Sequence, residues 1–130
     1  HPRFGGKKNT HAPVASGDCL ACHDPHSAPN RFLLPVGTER QESLCMKCHD
    51  RGIMEQKRLH GPVGLGTCTY CHDPHESDQA PLLKDTPQRL CESCRNAIAQ
   101  GIKESPYVHS VVTAKGCTSC HDPHGSRYEN

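Results

Sequence analysis

The sequence predicts a mostly irregular chain, rich in loops and carrying short α-helices, arranged as two and a half repeats of about 49 residues. Two observations lead there. Of the 130 residues only 33% are hydrophobic and 4% aromatic, with no Trp, too little apolar material for a conventional core. The stretches CLACHDPH, CTYCHDPH and CTSCHDPH begin at Cys19, Cys68 and Cys117, a step of 49 residues from 19 to 68 and again from 68 to 117. Self-similarity at a fixed period marks stacked units. Eleven Gly, eleven Pro and ten Cys spread along the length point to a scaffold held by covalent or metallic links.

Each repeat opens with a histidine, at His11, His60 and His109, giving H-x7-C-x-x-C-H-D-P-H three times. The modules of this single domain, 1–130, are therefore 11–59, 60–108 and the half module 109–130. The first cysteine pair of each module should occupy a single turn, because Asp24, Asp73 and Asp122 each precede a proline that disfavours helix. Segments 27–37 and 76–86 read as loops. A second kind of pair follows, LCMKCH at 44–49 and LCESCR at 90–95, in the most helical stretches. The first stretch, Thr38 to Lys57, opens with a T-x-x-Q capping box at Thr38 and Gln41, and Thr86-Pro87 reads as an N-cap followed by proline in the first turn. Leu90, Ile98 and Ile102 fall near helical spacing. No stretch alternates well enough for a strand.

The formal charge of +1, with no basic stripe interleaved with aromatics, gives nucleic-acid binding no support. No apolar run approaches the roughly 18 residues of a membrane span. The chain starts at His1 instead of Met, as expected after removal of an export signal.

All ten cysteines lie in five C-x-x-C pairs, and four pairs are followed at once by histidine: His23, His49, His72 and His121. C-x-x-C-H is the attachment motif of c-type haem. Two thiols three residues apart on a turn can each form a thioether to one vinyl side of a porphyrin, and the adjacent imidazole then reaches the iron. A zinc-held binding module is the competing reading, since C-x-x-C pairs also build tetrahedral zinc sites. Zinc, however, needs neither a histidine after each pair nor so many further histidines. Disulfides within C-x-x-C would close small redox-active loops that stabilise little.

With these motifs the chain resembles the doubled-CxxCH family of multihaem c-type cytochromes, over Thr10 to Gly125. The resemblance implies exported electron carriers whose bis-histidine haems pack closely, so that stacked haems form most of the core. Carried over residue by residue, it makes Cys19, Cys22, Cys45, Cys48, Cys68, Cys71, Cys117 and Cys120 the covalent attachments of four haem c groups, with His23, His49, His72 and His121 as proximal ligands.

Seven histidines remain for the second axial positions: His11, His26, His60, His109, His75, His124 and His1. Methionine, which would raise the potential, is scarce: Met46 lies between two haem cysteines and only Met54 is left. Bis-histidine, low-potential haems are expected. His26 cannot share an iron with His23, because axial ligands lie on opposite faces and the Asp24-Pro25 link cannot pass around the porphyrin edge. The simplest assignment gives His11, His60 and His109 to the first haem of their own modules and His26 to the haem of Cys45 and Cys48; an equally orderly one sends His60 back to that haem.

Cys91 and Cys94 are followed by Arg95, which has no lone pair for iron. A disulfide or free thiols, a fifth haem lacking its proximal ligand, and a separate metal site are all open. An open iron there would suit a multihaem reductase of nitrite-like substrates. Without a fifth haem His75 would lack its expected partner, and His124 would have none in the truncated third module. A terminal histidine (His1, His11 or His124) would then complete a haem in a neighbouring copy, making a head-to-tail polymer, as some resembling cytochromes form extracellular filaments. Ferric centres and propionates bring the net charge to roughly −3 oxidised and −7 reduced. Redox protein partners with basic surfaces are therefore favoured, in an encounter that salt slows. Periplasmic or extracellular location follows from the resemblance.

Overall fold

The computed structural model describes residues 3–30, 32–37 and 40–128. His1 and Thr38, which carry a ligand and a capping expectation, lie outside the described residues. In chain order the elements are β1 (Asn9–Thr10), α1 (Ala12–Ala15), α2 (Glu42–Cys45), β2 (Arg58–Leu59), α3 (Gly61–Gly64), β3 (Glu76–Ser77), α4 (Pro87–Cys94), α5 (Asn96–Glu104), α6 (Ser110–Lys115) and β4 (Gly125–Ser126). Short 3-10 turns span Cys19–Ala21, Arg51–Met54, Cys68–Tyr70 and Cys117–Ser119. The rest of the described chain is loop.

The repeat seen in the sequence is a repeat in space. His11, His60 and His109 each sit extended ahead of a helix, at φ/ψ of −62/138, −63/140 and −57/126 degrees. Proline follows in the first turn of α1 and α3, where its fixed φ suits the helix and its missing N–H costs nothing. Gly17 and Gly66 end the two helical segments at positive φ, 74 and 68 degrees, a conformation side chains disfavour.

Four two-residue strands correct the expectation that none would form. β1 pairs antiparallel with β3, Asn9 opposite Ser77 and Thr10 opposite Glu76. β2 pairs with β4, Arg58 opposite Ser126 and Leu59 opposite Gly125. One register is the other advanced by one repeat. No local alternation announces such strands, because they exist only where the start of one module meets the end of the CHDPH segment in the next.

The helical expectation for Thr38–Lys57 is also corrected: α2 covers one turn and a 3-10 turn follows. The Asp50 carboxylate accepts the Gly52 N–H at 2.9 Å, a local bond that competes with continued helix. The second such stretch behaves as expected. The Thr86 hydroxyl accepts the Arg89 N–H at 3.4 Å, Pro87 sits in the first turn of α4, and α5 follows directly after Arg95.

Apolar packing is nearly absent. Met46 is the one buried hydrophobic side chain among the described residues, beside buried Gln41, Thr67 and Ser77. The accessible surface is 9915 Å², against about 6,800 Å² for a folded monomer of this mass. Leu20, Leu65, Tyr70 and Tyr107 lie largely exposed. Turns, ladder bonds and buried polar contacts hold the protein part: Gln41 N–H donates to the Gly66 carbonyl at 3.1 Å, and its side-chain oxygen accepts the Thr69 N–H at 3.0 Å.

Candidate haem sites

The residue after each cysteine pair is tied back to the first cysteine. His23, His49, His72 and His121 donate their backbone N–H to the carbonyls of Cys19, Cys45, Cys68 and Cys117 at 3.0–3.1 Å. Both cysteines and the histidine thereby share one turn, the compact arrangement that attachment to one porphyrin needs. Arg95 makes the same bond to Cys91 at 3.1 Å. The fifth pair keeps the turn and lacks only the imidazole.

Backbone carbonyls hold the imidazoles. Nδ1 of His23 lies 2.7 Å from the Phe32 carbonyl and that of His72 3.0 Å from the Pro81 carbonyl. Nδ1 of His11 and of His60 meet the carbonyls of Pro74 and Pro123 at 2.9 and 3.0 Å. A carbonyl only accepts, so Nδ1 carries the proton and Nε2 keeps its lone pair for a metal. The chain turns to supply the Phe32 and Pro81 carbonyls through Leu33 and Leu82, repeat equivalents at positive φ, 55 and 61 degrees. Their own carbonyls accept the N–H of Asp24 and Asp73, each at 2.8 Å.

Three pairs of imidazoles face one another: His11 with His49 at 5.9 Å between centroids, His23 with His75 at 6.0 Å, and His72 with His124 at 6.2 Å, all within 17 degrees of parallel. Metal–nitrogen bonds of about 2 Å on either side put two trans imidazole centroids about 6 Å apart. The spacing fits an iron between each pair. Each pair joins one histidine that follows a cysteine pair to one of the surplus histidines. The assignment differs from the simplest sequence expectation, which kept His11 with the haem of its own first pair and gave His26 to the haem of Cys45 and Cys48. His11 faces His49 instead. The CHDPH histidines reach backwards, His75 to the first module and His124 to the second, because the strand pairing lays each CHDPH segment against the module before it. His75 is further backed by Phe4, stacked at 4.7 Å.

His26, His60, His109 and His121 face no other imidazole among the described residues. The Asp of each CHDPH does more than precede a proline. Asp24, Asp73 and Asp122 each accept the N–H of the histidine two residues on at 2.9 Å, the Asx-turn for which Asp two residues before the donor is the available signal.

Successive cysteine pairs lie side by side. Burial and the neighbouring Cys48 raise the Cys22 thiol, and burial and Cys94 raise that of Cys71. A hydrogen bond between Cys45 and Cys68 holds the Cys68 thiol down at about 7 and pushes Cys45 up. Burial raises Cys91, with Cys117 beside it. The five pairs thus alternate in one continuous series, in which Cys91 and Cys94 take their place between Cys71 and Cys117. Among the described residues no three His, Cys, Asp or Glu side chains gather into a metal cage.

A family model described as "Doubled CXXCH motif" matches residues 11–54, 60–98 and 109–130. The chain belongs to the doubled-CXXCH family. The matched segments of this doubled-CXXCH protein begin at His11, His60 and His109, and its motifs imply covalently bound haem c and electron transfer of the multihaem c-type cytochrome kind. No curated protein matches the chain. Among the described residues no helix is long and apolar enough to cross a membrane.

Proposed function

We propose that the chain is an exported tetrahaem c-type cytochrome that relays electrons through bis-histidine haems at Cys19/Cys22, Cys45/Cys48, Cys68/Cys71 and Cys117/Cys120. The observation that carries this reading is the opposition of His11 to His49, His23 to His75 and His72 to His124 at 5.9–6.2 Å. When bound, the haem irons supply the redox chemistry. The chain's residues would set where those irons stand: two facing pairs draw their rings from successive modules, and the first module supplies both rings of the remaining pair. Donation from Nδ1–H to carbonyls makes Nε2 a stronger donor and favours low potentials. The scarcity of buried apolar side chains supports haem as the missing core, and neighbouring copies or redox proteins are the partners this reading implies.

Intact mass and a visible spectrum test it. The expected result is four covalently attached haems, a low-spin spectrum and reversible reduction without turnover of nitrite-like substrates. Fewer than four haems, or no Soret band, would sink the proposal.

The preserved turn at Cys91–Arg95 and the His60 imidazole, with Nδ1 on the Pro123 carbonyl, favour one second reading. A fifth haem ligated by His60 alone would leave an open iron position, as a reductase needs. A mass with five haems would replace the first reading by this one.

A further inference from the structure

We propose that Cys91 and Cys94 form a reversible dithiol/disulfide couple that exchanges two electrons with the haems at Cys68/Cys71 and Cys117/Cys120. This rests on the tetrahaem reading above, and it gives the one cysteine pair without a following histidine a redox role of its own.

The fifth pair differs from the other four in its backbone. Cys22, Cys71 and Cys120 cap the 3-10 turns that begin at their partner cysteines, and Cys48 lies beyond α2, which ends at Cys45. Each attachment pair therefore straddles the end of a helical turn. Cys91 and Cys94, by contrast, both lie inside α4. Helical geometry sets Cα atoms three residues apart at about 5 Å, within the roughly 4.4–6.8 Å that a disulfide spans. The Ser93 hydroxyl donates its proton to the Leu90 carbonyl at 2.8 Å, so the Cys94 thiol is the donor across the 3.8 Å to Ser93 Oγ. Cys94 is exposed and Cys91 half-buried, which leaves one sulfur open to water for release and uptake of protons.

In the tetrahaem reading the other eight cysteines are thioethers, so within this sequence Cys91 and Cys94 can bond only to each other. The small loop such a bond closes adds little stability, and an exposed C-x-x-C disulfide belongs to the labile, redox-active class. Its position decides what it exchanges electrons with. Along the series of cysteine pairs neighbouring sulfurs meet: Cys22 by Cys48, Cys45 by Cys68, Cys71 by Cys94 and Cys91 by Cys117. α4 packs against the turn Cys117–Ser119, which brings Cys91 to Cys117. One sulfur of the pair thus adjoins a thioether of each flanking haem. C-x-x-C couples and bis-histidine haems both work at low potential, so exchange between them is not steeply opposed in either direction. On oxidation two S–H bonds break and one S–S bond forms; one electron passes to each flanking ferric haem, and two protons leave to water. Reduction reverses each change. The pair thereby links a two-electron change at sulfur to two one-electron changes at haem.

The test uses purified holoprotein without oxygen, titanium(III) citrate as one-electron reductant, ferricyanide as one-electron oxidant, and iodoacetamide as a thiol label read by intact mass. With four haems counted, the oxidised protein is expected to take no label and the reduced protein two. Coulometry should find two electrons more than the haem absorbance accounts for. After the reduced protein receives ferricyanide sufficient only for its haems, part of the reduced-haem absorbance should return as the thiols close. Cys91→Ser combined with Cys94→Ser should keep the haem count and the haem absorbance titration, while the two additional electrons and the returning absorbance disappear. Labelling that does not depend on the oxidation state of the haems overturns the proposal, as does an electron count equal to the haems alone. A fifth haem on the pair, or fewer than four in all, overturns instead the tetrahaem reading beneath it.

Discussion

The imidazoles of His72 and His124 face each other at 6.2 Å with planes 10 degrees apart, so a histidine of the third module lies against the cysteine-pair histidine of the second. Each CHDPH histidine with a partner in the chain crosses a module boundary. In an electron carrier this ties successive haem sites together mechanically as well as by sequence.

Replacing His75 by Met tests that crossing. The iron of His23 should stay six-coordinate and low-spin, while its midpoint potential rises by on the order of 0.1 V, within the roughly 0.8 V that axial ligands span. Spectropotentiometry should find one haem of the set displaced. A shift in the haem of Cys68 and Cys71 instead would contradict the pairing.

Substituting both Cys91 and Cys94 by Ser separates the fifth pair from the others. The haem count by intact mass should not change, nor should the redox titration. Loss of one haem would assign that pair to an attachment site, despite Arg95 in place of histidine.

Gly125→Ala should weaken the junction between the second and third modules. A Cβ there would meet the Arg58 carbonyl oxygen at 2.6 Å and the Gln56 Cβ at 2.9 Å, and backbone cannot yield as a flexible side-chain end can. A destabilisation of about 1–3 kcal/mol is expected from such overpacking, measured by denaturant titration. The His72 iron should be the first to lose its low-spin signal as the ladder beside His124 opens.

Leu82 holds positive φ so that Pro81 can offer its carbonyl to His72. A β-branched residue tolerates this conformation poorly, and Leu82→Val should cost about 1–2 kcal/mol. Leu82→Gly, which relieves the backbone, should be tolerated better. Equal losses for the two would place the cost in side-chain packing.

Much of the candidate site is readable in the sequence alone. The five cysteine pairs, the four histidines that follow them, the period of 49 residues and the single turns at CHDPH are local patterns, and local patterns are written in consecutive residues. The helix beginning at Thr86-Pro87 was legible for the same reason. Thr38–Lys57 was not, because Asp50 diverts the chain into a side-chain bond with Gly52 that competes with helix on nearly equal terms. The carbonyls of Phe32, Pro74, Pro81 and Pro123 were invisible, since every residue has a carbonyl and nothing in its identity says which imidazole it will meet.

By itself the sequence determined the inventory: which thiols and imidazoles exist, in what spacing, and that aliphatic packing could not hold them. Only the tertiary structure decided who faces whom. His11 went to His49 and His75 to His23 because the two-residue ladders, β1 on β3 and β2 on β4, set each module against the next in one register. Partner choice between distant residues depends on that register, and a register formed between modules leaves no trace in the residues of either one alone.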